Sequence, residues 1–125
     1  MNVVTISGHL GDDIDVRFRQ GGEAEGEFSV AVNDYIGKDE ANQPKYLTTW
    51  VQCKLTGKRA LSLQDDLYRG RLVTVSGQLR TSRYKISEER HVNVTFILVD
   101  DVVYDPRAVR AAPRPADQSQ PKNQQ

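Results

Sequence analysis

Up to Tyr104 this chain departs from a strand-like texture only once. After Gly57 the run KRALSLQDDLY, residues 58–68, is built from good helix formers without a β-branched residue, and Ala60, Leu63 and Leu67 recur at helical spacing. A helix is predicted there, ended by Gly70. On both sides of it, up to Tyr104, apolar and polar residues alternate with a period of two between turn signals, as half-buried strands do.

Residues 3–10 and 14–20 read as one long strand, broken near Gly8 and Gly11, because glycine inside a strand pattern marks a bulge or bend. Residues 27–34 form the second strand, with Phe28, Val30 and Val32 on one face. Residues 35–45 carry Gly37, Asn42 and Pro44 and little periodicity, and are predicted as a functional loop. Residues 46–55 are the third strand, 72–79 the fourth, 80–90 a charged hairpin arm, and 91–104 the last strand, with Val92, Val94, Phe96 and Leu98 on one face. Three strands, a helix and two more strands are the order of an all-β, five-stranded Greek-key barrel of the OB type, with its one short helix between strands three and four. Residues 1–105 are predicted as this one domain. Residues 106–125 are predicted as a disordered Pro/Gln-rich tail, since Pro106, Pro113, Pro115 and Pro121 fall there and residues 117–125 hold nothing apolar.

Within the third strand, Val51, Cys53 and Leu55 share the core face while Thr48, Trp50, Gln52 and Lys54 share the other. Trp50, the only tryptophan, therefore stands among polar neighbours. Two explanations are open, a partner surface and a platform on which a nucleic-acid base stacks.

Charge adds direction. The formal net charge is zero, yet its signs segregate. Asp12, Asp13, Asp15, Glu23, Glu25, Glu27, Asp34, Asp39 and Glu40 make the first part acidic, whereas Lys54, Lys58, Arg59, Arg69, Arg71, Arg80, Arg83, Lys85 and Arg90 dominate from Val51 to Arg90. Tyr84 lies inside that basic sector, between Arg83 and Lys85, and a ring interleaved with cations suits bases and phosphates together. Tyr35, at the mouth of the predicted loop, is a third aromatic candidate.

Other chemistry finds little support. Lys58 follows Gly57, but a phosphate-binding loop needs a glycine at the position of Gln52 and Ser or Thr at that of Arg59. His9 and His91 are the only histidines, no pair has metal-ligand spacing, and no cofactor or metal is expected. The Asp12, Asp13 and Asp15 cluster would suit a divalent ion in phosphodiester hydrolysis, but reads as an aspartate-rich turn, so no enzyme is expected. Cys53, the sole cysteine, is expected to be a buried thiol, which fits a reducing compartment. Without a leader-like N-terminus or an apolar run near the ~20 residues of a membrane span, a cytoplasmic, nucleoid-associated protein with no membrane partner is expected.

The segments MNVVTISGHLG (1–11), DVRF (15–18), FSVAVN (28–33), Gly57-Lys58, YRG (68–70) and VSGQLRT (75–81) together resemble the bacterial single-stranded DNA-binding protein family over residues 1–104. The resemblance implies an OB-fold domain that binds and protects single-stranded DNA without sequence preference during replication, recombination and repair, usually as a homotetramer. It implies base stacking by Trp50 and Tyr84, with Tyr35 a possible third. Lys58, Arg69, Arg80 and Arg83 fall on or beside its phosphate-facing positions, and Lys54 and Lys85 complete the expected path of the strand. Two positions depart from the family: Thr56 stands where phenylalanine is common, and Ile36 where some members carry tryptophan. The tail lacks the family's acidic end with its hydrophobic tip, which argues against recruiting other replication proteins through it. The alternative reading is an OB-fold interaction or assembly module, primosome-like, with weak nucleic-acid binding and Trp50 in an interface.

Overall fold

The structure, a computed structural model, describes residues 1–107; the expectation of a disordered tail falls, beyond Arg107, outside the described residues. The elements are β1 (Val4–Leu10), β2 (Asp15–Phe18), β3 (Ala24–Lys38), β4 (Pro44–Thr56), α1 (Lys58–Ser62), β5 (Leu72–Lys85) and β6 (His91–Val103). Neighbours run β1-β5-β6-β4-β3-β2, and β1 also pairs with β3 through His9–Ala31 and Leu10–Val30. Five strands thus close a ring, with β2 annexed to β3. One pairing in it is parallel, Cys53–Ile97 and Lys54–Leu98 between β4 and β6. That ring, with α1 between its third and fourth strands, is the expected OB barrel.

The expected long first strand is two. Gly8 lies within β1, paired with Val73, and the bend follows Leu10, where the Gly11 N–H donates to the Ser29 carbonyl at 3.0 Å. Gly8 serves closure instead. A Cβ there would stand 2.2 Å from the Ala31 carbonyl oxygen, so only glycine lets β1 approach β3 this closely.

The interior is filled from every barrel strand: Leu10, Val30, Cys53, Leu55, Val73, Val75 and Ile97 are at most 2% exposed. Ala60 and Leu67 join them from the β4–β5 connection, as their spacing predicts. The predicted helix over 58–68 is nevertheless only five residues long. From Leu63 the chain continues in tight turns, with N–H groups of Gln64 and Asp66 reaching back three residues to Leu61 and Leu63. The Leu67 carbonyl accepts from Ile14 N–H at 2.9 Å, so bonding to the barrel wall replaces further helix. Gly70 consequently caps no helix; its N–H donates to the Leu10 carbonyl at 2.8 Å.

The predicted loop over 35–45 is mostly a hairpin. β3 and β4 pair as far as Lys38 and Pro44, with a register shift at Ile36 that destroys the alternation a sequence reading follows. The turn between them is organised by Asp39, whose Oδ1 accepts from Ala41 and Gln43 N–H, both at 2.9 Å. A second shift sets Ser76 against Asp101 but Gly77 against Val99. Asp100 is skipped, and the inward positions of β6 change from Ile97 and Val99 to Val102. The face carrying Val92, Val94, Phe96 and Leu98 is consequently the barrel's outer one.

Candidate nucleic-acid interface

Cross-strand register assembles the outer face residue by residue. On β4 it carries Tyr46, Thr48, Trp50, Gln52, Lys54 and Thr56, and opposite these on β3 stand Tyr35, Asn33, Ala31, Ser29, Glu27 and Glu25. Beyond β4, the same face continues through Phe96 and Leu98 on β6 to Gln78, Arg80, Ser82 and Tyr84 on β5. Trp50 is half-buried and faces the small Ala31. Alternation along one strand thus put Trp50 on a face that continues across four strands.

At one end of this face, Lys54 and Tyr84 meet. The Lys54 ammonium donates to Tyr84 Oη at 2.8 Å and lies 4.5 Å from the Phe96 ring centroid. Glu25 and Glu27 carboxylates stand 3.8 and 3.7 Å from it. Its side chain is only 15% exposed. Burial alone lowers the Lys54 pKa, but the bond to Tyr84 and the fields of Tyr84, Glu27 and Glu25 outweigh it, so the net shift is upward and the group stays charged. Lys54 is thereby a cation with its counter-charges already in place, 30 residues in sequence from the tyrosine it holds.

Beside this cluster lies a groove of about 410 Å³, lined by Arg19, Glu25, Lys54, Thr56, Arg80 and Phe96 among others. Thr56 supplies a short side chain where a ring would occupy that space. Arg80 is exposed and bonded to the neutral Gln78 amide, while Arg19 pairs with Glu25.

The remaining predicted cations do not all converge here. Arg83 and Lys85 alternate with Tyr84 and belong to the opposite face of the β5–β6 arm, paired with Asn93 and His91. Lys58 is exposed at the start of α1, and Arg69 lies half-buried on the β4–β5 connection, its backbone N–H bonded to Asp13 Oδ1 at 2.8 Å. Two further members of the basic sector are structural. Arg71 is buried, donating to the Asp66 and Asp105 carbonyls at 2.8 Å each, with its guanidinium 4.8 and 4.1 Å from the Tyr68 and Tyr104 ring centroids. Arg59 donates to the carbonyl of Asp100, the residue skipped at the bulge.

The acidic cluster is occupied by local structure. Asp12 Oδ1 accepts from Asp13 N–H, Asp13 accepts from Arg69, and Asp15 pairs with Arg17 at 3.0 Å. Among the described residues no three His, Cys, Asp or Glu side chains are grouped to hold a metal, and no helix is long and apolar enough to cross a membrane.

Sequence reasoning missed two rings on this face. Phe96 sits under the Lys54 ammonium. Tyr46 packs edge-to-face on Tyr35, centroids 5.8 Å apart and planes at 68°. Tyr46 was detectable, because it shares Trp50's parity on β4. The predicted loop ended beside it and concealed the pattern.

Comparison with known proteins places this face in context. The profile of the single-strand binding protein family matches residues 1–105. The chain is 28% identical over 104 residues to a single-stranded DNA-binding protein of Fusobacterium nucleatum, covering 83% of this chain and 66% of that protein. The same figures for the protein so named in Clostridium perfringens are 32% over 101 residues, 80% and 63%. For Bacillus cereus they are 30% over 108 residues, 86% and 62%. The alignments thus span slightly under two thirds of these relatives. Among solved structures, a Plasmodium falciparum SSB complex with ssDNA superposes with a TM-score of 0.71 at 25% identity, covering 83% of this chain and 94% of that one.

Proposed function

Since the chain belongs to the single-strand binding protein family, we propose that it binds single-stranded DNA through the outer face of β3, β4, β6 and β5, without sequence preference and without a catalytic step. One observation carries this reading: Trp50, Tyr84 and Tyr35 share a single continuous face, with Lys54 on the strand of Trp50 and Arg80 on the strand of Tyr84. Rings stack on any base, at about 1–3 kcal/mol per base, which is why such binding ignores sequence. Arg80 meets phosphate on this face. Lys58, Arg69, Arg83 and Lys85 serve the strand where it leaves the face. Residues 1–105 act as the binding domain, working as a homotetramer in the cytoplasm and on the nucleoid during replication, recombination and repair. Several domains on one strand add avidity, which offsets the ring missing at Thr56.

The test is a titration of the full chain with oligo-dT, followed by Trp50 fluorescence and solution mass. Salt-dependent quenching is expected, because neutralised phosphates release counterions. Unchanged emission at low salt, with Trp50 shielded by self-association, would instead establish the assembly-module reading. Replacing Trp50 by Ala should weaken binding with little change in salt slope; an unaltered affinity removes stacking there.

A further inference from the structure

We propose that the segment 108–125 holds phosphates of the bound single strand through Arg110, Arg114 and Lys122, and so supplies positive charge that the barrel itself lacks. The inference deepens the single-stranded DNA reading and rests on it. The segment lies outside the described residues, and its charges are fixed by the sequence.

The first ground is a charge imbalance that the neutral total conceals. Residues 1–105 carry 13 Lys and Arg against 16 Asp and Glu, a formal charge of −3. Residues 106–125 carry four Lys and Arg against Asp117 alone, a formal charge of +3. The domain that presents the rings thus has the sign of the polyanion it binds. Stacking works against that repulsion without removing it.

The second ground is how the barrel uses the cations it has. Arg17, Arg19, Lys54 and Arg59 each pair with a carboxylate, and Arg71 is buried. Of Lys54 and Arg80, the cations of the stacking face, only Arg80 lacks a carboxylate partner among the described residues. Further phosphate contacts have to come from off that face.

The third ground is tethering. Buried Arg71, stacked between Tyr68 and Tyr104, donates to the Asp105 carbonyl at 2.8 Å, which fixes where the chain leaves the barrel. Arg107 turns back on Asp105, its backbone N–H and Nε reaching Oδ1 at 2.9 and 3.2 Å. The cations beyond it begin at Arg110. A chain spans at most ~3.3–3.6 Å per residue, so Lys122 lies within about 50 Å of Arg107. The 13 residues of β4, at ~3.3 Å each, span about 43 Å. The segment is therefore long enough to meet the strand anywhere along the face. Because the barrel already holds that strand, its phosphates reach the segment at a high effective concentration, which favours them over any free anion.

The experiment uses the full chain in titrations with oligo-dT over a salt series, read by Trp50 quenching. It compares wild type with a triple variant, Arg110→Gln, Arg114→Gln and Lys122→Gln, and with a double variant, Arg110→Lys and Arg114→Lys. Each contact to a single-stranded phosphate contributes about 0.7 to the slope of log affinity against log salt, so the triple variant should lower the slope by about 2. Its loss of affinity should reach about 100-fold at ~0.1 M salt and nearly vanish at ~1 M. The double variant keeps every charge and should bind as wild type does. Urea midpoints should be the same for all three, since the barrel is untouched. In isotope-labelled wild type, amide resonances of residues 108–125 should shift or broaden as oligo-dT is added. An unaltered slope in the triple variant, or unmoved resonances while Trp50 is quenched, overturns the proposal and leaves the single-stranded DNA reading intact. Tighter binding by the triple variant, with resonances between Asp12 and Glu40 displaced in the absence of DNA, overturns it too and assigns the segment to its own acidic sector. If wild type binds no oligomer, the underlying reading fails and the proposal with it.

Discussion

Lys54 is the residue whose expected role the tertiary structure alters most. A phosphate approaching its ammonium has to displace two carboxylates already 3.7–3.8 Å away. One phosphate charge at similar distance cannot outbid two. Removing Lys54 alone would leave those carboxylates to repel the strand, so the informative perturbation removes a charge pair. In Lys54→Met with Glu27→Gln, the local net charge is unchanged. Each phosphate contact on single-stranded DNA adds about 0.7 to the slope of log affinity against log salt. The double variant should therefore keep the wild-type slope. It should still bind more weakly, by about 1 kcal/mol or roughly fivefold, because Tyr84 loses the hydrogen bond that holds its phenol. Arg80→Met should do the reverse, lowering the slope by about 0.7, since among the described residues the side-chain partner of Arg80 is the uncharged Gln78. Fluorescence titrations of Trp50 with oligo-dT over a salt series measure both quantities. A slope lowered by about 0.7 in the double variant would show that Lys54 contacts phosphate and that the geometric reasoning is wrong.

Two stability predictions accompany it. A Cβ on Gly77 would lie 2.1 Å from the Leu98 carbonyl oxygen, so Gly77→Ala should force the bulge apart and lower the urea midpoint by the equivalent of about 1–3 kcal/mol; an unmoved midpoint refutes the close approach. Burial pushes the Cys53 thiol from 9.0 up to about 12. Below pH ~9 the thiol is protonated in both states and contributes no pH dependence. Above it only the unfolded thiol ionises, so stability falls as pH rises toward the folded value. Relative to Cys53→Ala, the wild-type advantage in urea unfolding should shrink by about 2 kcal/mol between pH 8 and 10.5; a constant difference refutes the buried thiol.

Local periodicity made the barrel legible. Val51, Cys53 and Leu55 read as core because alternation depends only on neighbours two residues away, and the one helical stretch fixed which Greek-key barrel the strands form. Errors arose where a register shift breaks that periodicity. Ile36 turned half a hairpin into an apparent loop, hiding Tyr46, and the skipped Asp100 changes which residues of β6 face inward. The short helix is a related case, because Leu67 spends its carbonyl on Ile14, a bond no local pattern announces.

By itself, then, the sequence determined that a lone tryptophan would stand outside an OB barrel, and that its family would be recognisable from short ordered motifs. Tertiary structure decided which cations remain available beside it. Lys54 is met by Glu25 and Glu27 from the adjacent strand, Arg71 is enclosed by Tyr68 and Tyr104, and Arg59 is claimed by the Asp100 carbonyl. A charge count along the chain treats all these cations alike. Closing the barrel distinguishes them, because cross-strand register, rather than sequence distance, sets which charges lie within a few ångströms of one another.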